Sequence, residues 1–338
     1  MTMRMLAAAA MGLALVGAGC KGGAVKVDPA QVAAFAALPE VMVSQANPVT
    51  DAKVDLGRRL FFETKLSMGN DLSCNSCHHL DAYGADTGAV SIGHQGKKGG
   101  RNSPTVYNAA GHIAQFWDGR AADVEAQALG PILNPVEMAM PAAPVVMGRL
   151  KADAEYRRMF AAAFPGERDP MTYANLGRAI GAFERKLVTP SRWDRFLRGE
   201  DSALTNAEKA GFNTFVSTGC AGCHRGAFVG GGMYMKAGLV RSWPDTGDVG
   251  RMAVTHEAAD RMLFKVPSLR NIERTGPYFH TGTVRSLDTA VVWMARYQLG
   301  RELEAQQVGQ IVTWLRTLTG ALPTQYIAPP RAAAPKTE

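Results

Sequence analysis

Cys74-Asn75-Ser76-Cys77-His78 and, 146 residues further on, Cys220-Ala221-Gly222-Cys223-His224 are the two stretches on which the reading of this chain turns. Two cysteines three positions apart put both thiols on one side of a turn, and the next residue points its imidazole the same way. Zinc sites, thioredoxin-like redox pairs and structural disulfides all use CxxC. A histidine directly after the pair, in both copies, is the arrangement in which each thiol adds to a haem vinyl group and the imidazole takes the iron. Apart from Cys20, these four are the only cysteines in the chain. The motifs therefore predict two covalently bound haem c groups, with His78 and His224 as the proximal ligands.

Working outward, each motif stands in a matching frame. Leu56, Leu60 and Phe61 share a helical face ahead of the first motif. Thr205 and Glu208 form a capping box, and Phe212, Phe215 and Val216 line a face ahead of the second. Each copy closes on an amphipathic helix, Leu176, Ile180, Phe183 and Leu187 in one and Ile311, Val312, Leu315 and Leu318 in the other. Thr189-Pro190 and Thr319-Gly320 stop them. Gly84 to Gly100 and Gly226 to Gly250 have no strong period and read as loops wrapping a haem. The expected fold is mainly α, with two cytochrome c-like haem domains, long loops and little β.

Composition bounds the rest. At 338 residues and 46% hydrophobic, the chain can form two ordinary domains. Its net charge of +7 comes without any basic run interleaved with aromatics, so nucleic acid is not an expected partner. Arg4 followed by an apolar run from Leu6 to Gly19 reads as a signal peptide, residues 1–19, too short to span a bilayer comfortably. Cleavage after a small residue such as Ala18 is one outcome; a lipid anchor on Cys20 is the other, with Gly17 weakening that motif. Residues 20–43 then read as a linker, and 323–338 as a disordered tail.

Beyond the haem motifs, the chain resembles the bacterial di-haem cytochrome c peroxidase family from about Gln45 to Gly320. The matching stretches are Ser91-Ile92-Gly93-His94, Arg101-Asn102-Ser103-Pro104-Thr105-Val106 and Ala114-Gln115-Phe116-Trp117-Asp118-Gly119-Arg120. Pro135-Val136-Glu137-Met138, Pro267-Ser268-Leu269-Arg270-Asn271 and Pro277-Tyr278-Phe279-His280 follow in the same order.

The resemblance implies an enzyme that reduces hydrogen peroxide to water with electrons from a small cytochrome c or cupredoxin. It implies a peroxidatic haem domain over residues 44–190 and an electron-transfer haem domain over 191–322. His94 is then the distal, releasable ligand of the first haem and Met294 the sulfur ligand of the second, with His280 near that haem. Glu137 is the catalytic carboxylate, Gln127 and Phe116 line its pocket, and Trp117 lies between the haems. Asn102, Thr275 and Pro277 would hold calcium. A periplasmic homodimer is the implied setting. Two alternatives stand beside it: a di-haem electron carrier without peroxidase activity, and a related enzyme that oxidises a partner protein. The latter resemble this chain but carry tyrosine where Met294 stands. His79, His112 and His256 match no role and read as surface histidines.

Overall fold

Thr50 accepts a hydrogen bond from the Lys53 amide and so starts the Asp51–Phe61 helix, whose Leu56, Leu60 and Phe61 are fully buried. The Tyr173–Glu184 helix, capped by Thr172, lays Leu176, Ile180 and Phe183 across it. A Cβ at Gly57 would lie 1.8 Å from the Ala179 carbonyl oxygen, so only glycine lets these two backbones cross so closely. The second half repeats the device. The Thr205–Glu208 capping box opens the Asn206–Thr218 helix, which crosses Ala305–Leu315 at Gly211, where a Cβ would lie 2.1 Å from Gln310 O. Both terminal helices stop slightly short of the expected row, with Leu187 and Leu318 buried in the turns that follow.

The computed structural model describes residues 23–330; the expected signal segment, Cys20 and the last residues of the tail lie outside them. As expected, the architecture is mainly helical. Each helix pair centres its own apolar core. The only sheet among the described residues is antiparallel, Tyr234–Lys236 against Leu263–Lys265, with Tyr234 opposite Lys265. Its first strand falls inside Gly226 to Gly250, read above as loop throughout; three residues are too few for a period to register.

The chain ends correct the sequence reading. The 20–43 stretch, expected as a mobile linker, carries the Pro29–Val32 helix and buries Phe35 against Trp193, Phe212 and Trp314 of the second core. The Leu38 amide donates to Asp194, which also holds a fully buried ion pair with Arg270 at 2.7 Å. The tail returns to the first core instead: Ile327 is buried there, and the Tyr326 hydroxyl donates to Phe183 O. Alanine- and proline-rich composition hid single anchoring aromatics at both ends.

A second repeat, at a constant offset of 163 residues, runs from Pro104 and Pro267 onward. Asn108 and Asn271 have φ of 61° and 60°, Phe116 and Phe279 of 65° and 67°, Gly119 and Gly282 of 69° and 61°. Gln115 bridges Ala121 as Tyr278 bridges Val284. Asp123 and Ser286 then cap the Val124–Leu133 and Leu287–Trp293 helices. The two asparagine amides meet on Thr189 Oγ1, at 2.9 and 2.8 Å.

Candidate haem sites

None of the four motif cysteines is paired in a disulfide. Burial pushes Cys74 and Cys220 up to about 12, the opposite of a reactive thiolate pair. His78 Nδ1–H points at Gly84 O and His224 Nδ1–H at Val229 O, each at 3.3 Å. A proton fixed on Nδ1 leaves the Nε2 lone pair for a metal. Burial lowers both imidazole pKa values, His224 to about 4, which favours the neutral form that iron ligation requires. Cys220, Cys223 and His224 share an apolar cavity with Phe264, Leu315 and Met294. These residues fit haem c.

The far sides of the two sites differ. Met294 opens a π-helical turn, Met294–Gln298, directly after Leu287–Trp293. Such turns reorient side chains at functional sites. The residue 163 positions earlier is Pro131, which has no ligating atom. Beside them, Phe279 stacks on Trp293 at 5.8 Å, whereas Phe116 packs over Gly130, 3.6 Å from where a Cβ would stand. At this offset the second half thus has methionine and tryptophan where the first has proline and glycine.

Gln127 lies one turn before Gly130 on the Val124–Leu133 helix. Arg120 stacks its guanidinium over Phe116 at 3.4 Å, and Phe116 lines the cavity that holds Cys220, Cys223 and His224. Burial raises the Glu137 carboxyl above its usual range, against the opposing charge of Arg120 and a hydrogen bond from Asn134. Glu137 is close enough to Cys77 for its charge to help raise that thiol. The Glu137 carbonyl accepts the His94 amide at 2.8 Å, and Lys97 Nζ donates to Pro135 O. His94 Nδ1 is buried without a partner. The His94 loop and the Glu137 turn are therefore one docked unit beside the first motif.

Asn102 ties this side to the other. Trp117 Nε1 donates to its carbonyl at 2.8 Å, its own amide donates to His280 O at 2.8 Å, and its Nδ2 donates to Gly88 and Ala89. Asn102, Thr275 and Pro277 line the same cavity as Trp117. The Trp117 ring stands 6.2 Å from His280, its counterpart in the 163-residue repeat, and His280 stacks on Phe264 at 4.2 Å.

This chain matches a family model described as di-haem cytochrome c peroxidase over residues 51–202. It is 43% identical over 298 residues to the cytochrome c551 peroxidase of Pseudomonas aeruginosa, covering 86% of each chain. The chain belongs to the di-haem cytochrome c peroxidase family. The cytochrome c551 peroxidase of Nitrosomonas europaea is likewise 43% identical, over 83% of this chain and 84% of that one. Among solved structures, a MauG-like protein associated with microbial copper homeostasis aligns with a TM-score of 0.77 at 29% identity, over 87% of this chain and 97% of that one. The family makes the chain a cytochrome c peroxidase enzyme with two haem c groups.

Sequence reading placed one residue wrongly and overlooked others. His112, read as a surface histidine, has a buried Nε2 without a partner and packs edge-on against Phe228 at 5.3 Å. An isolated histidine in a glycine-rich stretch carries no sign of burial. His256 is exposed and His79 half-buried. Gly130, Pro131 and Trp293 were not singled out, although aligning the chain with itself at 163 residues would have exposed all three.

Proposed function

We propose that this enzyme reduces hydrogen peroxide to water at the His78 site, drawing electrons from a small cytochrome c or cupredoxin through the Met294 site. The observation that carries this is the replacement of Met294 and Trp293 by Pro131 and Gly130 in the first half, together with a half-buried carboxyl, Glu137, where the second half has Gly300. When bound, the haems supply electron storage and, at the first iron, a position for peroxide. The chain's residues do the rest.

Peroxide, two electrons and two protons give two waters. Glu137 would take a proton from one peroxide oxygen and deliver it to the other as the O–O bond breaks; its raised pKa suits that exchange. Gln127 and Phe116 bound the pocket. His94 would be a releasable ligand of the first haem when bound, and its amide bond to the Glu137 carbonyl links its loop to the Glu137 turn. Trp117, held by Asn102, bridges the two sites. Met294 would hold the second haem from the side away from His224, and a thioether ligand there would raise its potential.

The boundary between haem domains falls at Pro190 and Ser191. Calcium would be held by the side-chain oxygen of Asn102 with the carbonyls of Thr275 and Pro277, an oxygen set from both halves that suits a hard cation. The mature protein is a periplasmic homodimer, cleaved after the Leu6 to Gly19 run or lipid-anchored at Cys20.

The test is peroxide consumption with a reduced donor, before and after half-reduction in the presence of calcium. Turnover together with a high-spin, ligand-accessible haem is expected. Neither turnover nor an accessible haem in the half-reduced protein would leave an electron carrier.

A further inference from the structure

Lys265 ends the second strand of the small sheet and is only 7% exposed. Its ammonium donates to Ala114 O at 2.7 Å and lies 3.4 Å from His112 Nδ1. The acid whose field reaches it is Asp118, already committed to Arg101 at 2.6 Å and Arg120 at 3.1 Å. A buried cation without its own counter-charge is strongly unfavourable, and burial pulls Lys265 down to about 8. Two of its N–H bonds are used and one remains. With Nδ1 accepting, the His112 proton sits on Nε2, which is buried and unpartnered. Both side chains line the cavity that holds Cys220, Cys223 and His224.

The internal repeat gives the pair a meaning. At the 163-residue offset, Lys265, His112 and Ala114 correspond to Asn102, Thr275 and Pro277. One copy of the set offers oxygens to a cation; the other carries a cation of its own.

The geometry points to Lys265 and His112 as the anchor for the propionate carboxylates of the haem attached at Cys220 and Cys223. The ammonium supplies the fixed counter-charge, and His112 Nε2–H supplies a second donor. The pairing rests on the reading of that second haem c. It accounts for both unused donors at once, because a carboxylate offers several acceptor sites to two N–H groups.

The experiment compares wild-type holoprotein with Lys265→Met and His112→Phe. Covalent haem is counted by intact mass, the potential of the second haem is titrated against pH, and the propionate-bending bands are read by resonance Raman. Lys265→Met is expected to lower that potential and make it fall as pH rises, since an unpaired buried carboxylate then titrates. Both variants shift a propionate band, with the first haem unchanged. Should Lys265→Met fail to assemble, the band in His112→Phe decides alone. Fully loaded variants with unmoved bands and potentials overturn the pairing while leaving the two haems intact. Wild-type protein with no haem mass at Cys220 overturns the pairing and the reading beneath it.

Discussion

The two halves of this molecule share a scaffold and part company at a few positions. In each, a helix ahead of the haem motif crosses a terminal helix through a glycine, Gly57 or Gly211. In each, a histidine ties Nδ1 to a backbone carbonyl. A Pro-to-Asn segment and a capped helix follow in register. Then one half presents Trp293 and Met294 where the other has Gly130 and Pro131. The two halves offer equivalent frames, and the proposed chemistry rests on the few side chains that differ between them.

The largest expected consequence lies at the residue with no counterpart in kind, since the position matching Glu137 is Gly300. Glu137→Gln keeps the shape and removes the proton carrier. Peroxide turnover should fall by about 10²–10⁴-fold, with both haems and their resting spectra retained. Full activity would show that another group moves the proton.

Exchanging the distinguishing residues sharpens the comparison. Met294→Leu should lower the potential of the second centre and change its spectrum while leaving both haems attached. Pro131→Met should close the first centre, giving a low-spin half-reduced protein with slowed turnover. Unchanged potentials and spectra in Met294→Leu would mean that the wrong sulfur has been named.

A pH asymmetry separates the cores. Glu184, on the first unit's terminal helix, is raised to about 8, chiefly by burial and then by the charge of Glu125. A folded-state pKa above the ordinary 4.5 means that its contribution is fully present below pH 4.5 and is lost as pH climbs through about 8. Glu184→Gln should abolish that loss, on the order of a few kcal/mol, in denaturant titrations along a pH series. A wild-type stability flat across the window would contradict the burial argument.

The smallest effect tests the shared frame. Gly57→Ala and Gly211→Ala each force a methyl group onto a carbonyl oxygen of the partner helix. Each should cost roughly 1–3 kcal/mol, read by thermal or denaturant unfolding. Neutral substitutions at both would show that the helix pairs tolerate wider spacing.

Much of this was legible in the sequence because its signals are local. CxxCH, the Thr205–Glu208 box and the apolar rows through Leu176 and Ile311 are fixed by neighbours a few residues apart. The resemblance then singled out His94, Glu137, Trp117 and Met294, which the fold places beside the two motifs. Illegible features depend on distant partners. Phe35 and Ile327 stand in alanine- or proline-rich ends, and only a surface far along the chain gives them somewhere to pack. His112 and Lys265 look like surface residues until Ala114 and the strand pairing close over them. Pro131 is informative only beside Met294, a comparison no single window contains.

The central claim is the inequality of the two centres. Redox titration followed by absorption and electron paramagnetic resonance spectra of the fully oxidised and half-reduced protein tests it most directly. The account predicts two separated potentials, a methionine-ligated low-spin haem that reduces first, and a first haem that is ligand-accessible once half the electrons are in. Two centres of equal potential, both low-spin and closed in every state, would contradict it.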